Sequence, residues 1–211
     1  MQRGKFIVIE GGEGSGKDTQ IELLREAFER RGDIVFTREP GGTALGERLR
    51  SIVQDRSSEI VPEADLLLYS ADRAQHIAEV VVPALMAGRH VISNRFALST
   101  IAYQLCGRER RELLAFFWNV HRQIVGEHEP DAYILLDIEP AIGLARKRAQ
   151  GEGTTRFEMR ELAFHERVRQ GFLDNMPAPP RGVVIDAARS REEVYADIFS
   201  RITALIGAVT F

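Results

Sequence analysis

The chain has 211 residues, of which 44% are hydrophobic and 28% charged, the proportions of one soluble globular domain with a real core. A formal net charge of -3 excludes the broad positive field of a general nucleic-acid binder. Cys106 is the single cysteine, which excludes an internal disulfide and a cysteine-rich metal site. The opening "MQRGKFIVIE" reads as a run into a strand rather than a signal peptide or membrane span, so a cytoplasmic protein is expected.

Five β-rich runs recur along the chain: "KFIVIE" (5–10), "DIVFTR" (33–38), "HVISN" (90–94), "AYILLDI" (132–138) and "GVVIDA" (182–187). Nearly continuous apolar runs of this length suit strands covered on both faces. Helical patterns separate them. In "TQIELLREAFERRG", Ile21, Leu24, Ala27 and Phe28 form one stripe, with Gly32 as the expected C-cap. "RELLAFFWNVHRQIVG" and "SREEVYADIFSRITALIG" repeat the pattern, and Ser190 with Glu193 forms a capping box before the second. Strand alternating with helix predicts five parallel strands with helices on both faces, in a single α/β domain spanning residues 1–211.

Between the first strand and first helix stands "GGEGSGKDT", residues Gly11, Gly12, Glu13, Gly14, Ser15, Gly16, Lys17, Asp18 and Thr19. The spacing is that of a phosphate-binding loop, G-x-x-x-x-G-K followed by Ser or Thr. Glycines let backbone N–H groups turn toward phosphate oxygens, and the following helix N-terminus adds positive potential. This stretch is read as an ATP site, with Lys17 reaching the β- and γ-phosphates. Asp18 departs from the pattern. A carboxylate beside a triphosphate repels it unless a divalent cation lies between, so Asp18 either abolishes binding or is itself a magnesium ligand. The loop alone leaves both open.

Further on come "TREPGGTALGERLR" (37–50), "LLLYSADRAQH" (66–76) and "SNRFALSTIAYQ" (93–104). Together with the loop, and in this order, they resemble the thymidylate kinase family through nearly the whole chain. The resemblance implies a doubly wound P-loop NTPase-like fold with a helical lid. It also implies transfer of phosphate from ATP to thymidine monophosphate with magnesium, usually by a homodimer. Where the family normally has Asp before Arg95, this chain has Asn94, and the missing carboxylate reappears at Asp18. The expectation is a relocated magnesium ligand in a working enzyme, with Asp18 binding the metal and Asn94 assisting through water.

The attacking phosphate oxygen is already ionised at neutral pH, so positioning and charge should carry the reaction, with arginines prominent. By resemblance Arg95 and Arg38 hold the acceptor phosphate; Arg38 could instead pair with Glu39. Tyr69 and Arg73, four apart on one helix face, correspond to a thymine-stacking aromatic and an arginine that bonds a ring carbonyl. Ser99, Thr100, Tyr103 and Gln104 follow Arg95. Thr100 is expected near the thymine edge, Tyr103 in the space of a ribose 2′-OH, Gln104 behind that wall, and Glu13 on the sugar 3′-OH. "LARKRAQGEGTTRFEMRELAFHERVRQGF" (144–172) reads as helix, glycine-bearing break and helix, with the lid at about 144–160 and Gly151 and Gly153 as hinges. The family places its catalytic basic residue either in the phosphate loop or in the lid; with no basic residue between Gly11 and Gly16, the resemblance implies that the lid supplies it. Arg148 and Arg156 are selected over Arg146, and Lys147 is read as solvated. "VIDAARS" (184–190) resembles the loop bracketing adenine, and "RELLAFFWNVHRQIVG" offers a dimer surface. Two rival readings remain: a kinase for another nucleoside monophosphate, and a non-catalytic P-loop sensor in which Asp18 and Asn94 are scars.

Overall fold

Two apolar faces on one sheet organise the molecule. The computed structural model describes residues 3–55, 57–150, 157 and 159–207. Strands β1 (Phe6–Gly11), β2 (Ile34–Arg38), β3 (His90–Asn94), β4 (Ala132–Asp137) and β5 (Gly182–Asp186) form a sheet in the order β2-β3-β1-β4-β5, every pair parallel. All five predicted runs become strands within a residue or two. Side chains alternate across a strand. Phe6, Val8, Tyr133 and Leu135 therefore point into one core, and Ile7, Ile9, Ile134 and Leu136 into the other. Two-sided burial holds for the inner strands, whereas the edge strand β5 leaves Val184 exposed.

Helix α1 (Lys17–Ala27) packs with α9 (Arg191–Ile206) over one face. The other carries α3 (Pro62–His76), α5 (Ala97–Thr100), α6 (Leu114–Val125) and α8 (Leu162–Asn175). A short α4 (Val82–Met86) follows α3 through a π-helical turn, and α5 runs into another over Ile101–Gly107. α2 (Ala44–Gln54) opens on Thr43, whose side chain accepts from the Gly46 N–H. The capping box of Ser190 and Glu193 is formed. Gly32 is not a C-cap: α1 ends at Ala27, and Phe28 closes it while its ring stays in the core, stacked on Phe199. α7 (Pro140–Gln150) and α8 are the two helices on either side of the segment expected to form a lid. Gly151, Gly153 and Arg156 lie outside the described residues.

The topology decides where a ligand goes. The chain leaves β1 for the β2 edge, returns to β3, then crosses to β4 and β5 on the far side of β1. Open α/β sheets bind ligands at the carboxyl ends of the strands beside such a reversal. Those ends carry Gly11, Arg38 and Asn94. Among the described residues, no helix is long and apolar enough to cross a membrane.

Candidate active site

A cavity of about 660 Å³ opens at this point of the sheet, lined from the phosphate loop, α2, α3, the β3–α5 junction, α7 and the start of α9. The loop has the geometry its glycines predict. Gly16 sits at φ 84 as the N-cap of α1, which leaves the first helical N–H groups without a side-chain cap. Gly14, also left-handed, lies against the backbone of Gly143 on α7, where an added Cβ would fall 1.9 Å from the carbonyl oxygen. Lys17 folds back on the loop: its Nζ donates to the carbonyls of Gly11 and Gly12 at 2.8 Å and to Ser15 Oγ at 3.1 Å. Burial, with Arg95 nearby, pushes the Lys17 ammonium down to about 7. A bound phosphate would add negative charge beside this lysine and favour its charged form.

Asp18 and Asn94 meet. Asn94 Nδ2 donates to Asp18 Oδ1 at 2.7 Å. Burial works against the Asp18 charge, but Lys17 and this hydrogen bond outweigh it and hold the carboxyl below its usual range. Asn94 Oδ1 is buried with no hydrogen-bond partner. An ionised carboxylate beside an unsatisfied amide oxygen fits a hard divalent cation. Among the described residues there is no cluster of three or more His, Cys, Asp or Glu, so a cation here would keep most of its own water.

Arg95 occupies the centre, in the left-handed region at φ 72. Its Nη1 donates to the Gly11 carbonyl at 3.2 Å and to Ser99 Oγ at 3.1 Å; its Nη2 reaches Glu13 Oε1 at 3.3 Å and the Tyr103 hydroxyl at 3.4 Å. Tyr103 in turn donates to Glu13 Oε1 at 2.8 Å. Burial opposes the charge on both Arg95 and Glu13, yet each stabilises the other, so Arg95 is raised and Glu13 lowered. Beneath them Glu10 accepts from the N–H groups of Phe96 and Ser99 and from Ser99 Oγ, fixing the start of α5. Burial pushes the Glu10 carboxyl up to about 7.

Tyr69, Arg73, Thr100 and Gln104 line the same cavity. Arg73 Nη2 donates to Thr100 Oγ1 at 2.9 Å, and Gln104 is braced by Asp65. Arg38 also lines it, but its partner is Glu47 at 2.9 Å rather than Glu39. At the other end stand Thr19, Arg189, Ser190 and Arg191, with Arg146 donating to the carbonyls of Ala187 and Ala188. Arg148 requires a correction. It is exposed and outside the cavity lining, whereas Arg146 and Lys147 are half-buried and line it. The cause is helical phase. Gly143 faces the phosphate loop, so residues three and four further on share that face and the fifth turns away. Lys147 is accordingly not a solvated side chain.

The residues 9–198 match the family model for thymidylate kinase. The chain belongs to the thymidylate kinase family. It is 43% identical over 205 residues to the thymidylate kinase of Deinococcus radiodurans, covering 96% of this chain and 98% of that one. It is 45% identical over 212 residues to that of Clavibacter michiganensis subsp. michiganensis, covering 97% of each. The crystal structure of thymidylate kinase from Ehrlichia chaffeensis superposes with a TM-score of 0.74 at 30% identity, covering 95% of this chain and 99% of that chain.

Within this member of the thymidylate kinase family, several lining residues escaped the sequence reading, two of them polar residues of one helix. Arg50 and Gln54 come from α2. With Glu47 they stand at i, i+3 and i+7, a polar stripe that was there to be read. Arg50 donates to the Pro40 carbonyl at 2.9 Å, and burial beside Arg38 pushes its guanidinium down.

Proposed function

We propose that this protein transfers the γ-phosphoryl group of ATP to thymidine 5′-monophosphate, giving dTDP and ADP. One observation carries the reading beyond family membership: a phosphate loop and a base-and-phosphate pocket open on the same cavity, with Arg95 between them. An acceptor phosphate oxygen attacks the γ-phosphorus as the bond to the β-phosphate oxygen breaks. The oxygen is ionised already, so no general base is needed.

Charge and placement carry the step. Lys17 exchanges the loop carbonyls for the donor's β- and γ-phosphate oxygens. Arg95 and Arg38 grip the acceptor phosphate, with Arg50 adding positive charge from α2. Tyr69 stacks on the base, and Arg73 with Thr100 meets its edge. Tyr103 and Glu13 enclose the sugar, Tyr103 by filling the 2′ side and Glu13 by accepting from the 3′-OH. Lys147 approaches the transferring group from α7, and Arg156 belongs with it in this reading. Magnesium, when bound, would supply positive charge that offsets the charge of the donor phosphates. Asp18 would hold it, oriented by Asn94, whose Oδ1 would take a metal-bound water. The exposed apolar residues Leu67 of α3 and Phe116 of α6 fit a homodimer contact, and the protein is read as cytoplasmic.

A coupled assay with ATP, magnesium and each nucleoside monophosphate in turn tests the reading. Turnover should be greatest with dTMP. A preference for AMP, CMP or GMP would move the assignment to another monophosphate kinase, and nucleotide binding without transfer would make the protein a sensor.

A further inference from the structure

Behind the acceptor pocket lies a buried polar network that phosphoryl transfer alone does not require. Arg73, His76 and Glu39 are 1%, 0% and 3% exposed. Arg73 Nε donates to Glu39 Oε2 at 3.0 Å, and Glu39 Oε1 pairs with His76 Nδ1 at 2.8 Å. His76 Nε2 meets Thr37 Oγ1 at 2.8 Å, anchoring the chain of contacts on β2. One residue along, Asp72 accepts from the Gly41 N–H at 2.9 Å, so loop 39–41 is stitched to α3 at successive positions. Resting on the dTMP-kinase reading above, we propose that Glu39 is a positioning residue for recognition of the acceptor base, acting through Arg73.

Both Glu39 oxygens are already engaged, one by Arg73 and one by His76. Four neighbours hold Arg73. Its Nε donates to Glu39 Oε2, which its Nη2 also approaches at 3.0 Å, Nη2 donates to Thr100, and the guanidinium carbon lies 4.9 Å from the ring centre of Phe96 and 5.9 Å from that of Phe117. A guanidinium carries five N–H donors and no acceptor. The remaining donors of this cavity-lining residue can therefore be satisfied by a ring carbonyl but not by an exocyclic amino group. A site built to hydrogen-bond one group rejects an analogue that cannot pair, because its own polar atoms are left unmet. Glu39 makes that rejection stringent by denying Arg73 any other rotamer. It also follows Arg38 directly, so one short stretch sets the phosphate end and the base end of the acceptor together.

Glu39→Gln tests this, with KM and kcat measured for dTMP and dCMP, which differ at the base by carbonyl against amino at C4, by the N3 proton that goes with it, and by the 5-methyl group. The variant should raise KM for dTMP about tenfold, leave KM for ATP within about twofold, and lower the preference for dTMP over dCMP about tenfold. In an Arg73→Leu background the same substitution should move neither KM nor preference, since the residue through which it acts is gone. Should Glu39→Gln not fold, His76→Gln is expected to shift the same two quantities in the same direction, about threefold. A Glu39→Gln protein that loses only thermal stability, or whose effect adds in full to that of Arg73→Leu, overturns the inference while a wild type active on dTMP keeps the functional reading. A wild type inactive on every monophosphate overturns both.

Discussion

In the reading proposed above, the acceptor and donor ends of the cavity are built on opposite plans. At the acceptor end Arg73, Thr100, Tyr103 and Gln104 are each at most 4% exposed, and their side chains are tied to one another or to a carboxylate. At the donor end Asp18, Thr19, Arg189 and Arg191 are exposed, and the binding surface is chiefly loop backbone. A base must be told from other bases by side chains that are already in place. A triphosphate is met by backbone N–H groups and mobile cations, which needs charge more than shape. The two ends meet at Arg95, which touches Gly11 of the donor loop and Glu13, Ser99 and Tyr103 around the acceptor.

Removing that junction should have the largest effect. Arg95→Ala is expected to lower kcat by on the order of 10³, with KM for ATP little changed, because its charge serves the transition state between the two phosphates. A loss confined to KM for dTMP would make Arg95 an acceptor-end residue only.

The donor end is broken next by Asp18→Ala, which should cut magnesium-dependent turnover on the order of 10² and abolish the rise in melting temperature given by magnesium with ADP. Asn94→Ala should cost tenfold to a hundredfold, as expected of a group that orients a ligand. Asp18→Thr combined with Asn94→Asp restores the commoner arrangement and should recover most of the activity. Full activity of Asp18→Ala would remove the carboxylate from the mechanism.

What was legible in the chain follows the same division. The strands were readable because a buried parallel strand needs a nearly continuous apolar run, and β1 to β5 supply one each. The phosphate loop was readable because its chemistry depends on local spacing. The acceptor network was only half legible. Tyr69 and Arg73 share a helix face by arithmetic, but that Glu39 turns to Arg73 and leaves Arg38 to Glu47 depends on how loop 39–41 packs on α3. Nothing local encodes that choice. The same holds for α7, whose rotation is set by Gly143 resting on the phosphate loop.

That rotation gives a smaller, sharper test. Lys147→Ala should lower kcat about tenfold, and Arg148→Ala should stay within about twofold, since only the first residue faces the cavity. The reverse order would mean that α7 turns when the donor binds.

The smallest effect on catalysis, and the clearest on stability, concerns what the rigid acceptor end costs. Asp72 is 1% exposed, its Oδ2 has no partner, and burial together with Glu39 pushes its carboxyl from 3.8 up to about 7. Between about pH 4 and 7 the folded protein keeps a proton that the unfolded chain has released, so Asp72 makes stability fall as pH rises through that window. Glu10, pushed up to about 7 by burial, acts in the same direction. Asp72→Asn keeps an oxygen for the Gly41 N–H and removes the charge. It should leave stability unchanged at pH 4 and raise it at pH 8 by about 2 to 4 kcal/mol, or roughly 5 °C or more in melting temperature. A melting curve that declines from pH 4 to pH 8 as steeply as the wild type's would place the cost elsewhere, with Glu10 the next group to change. A flattened decline would show that this end of the cavity holds its shape against a charge it would otherwise expel.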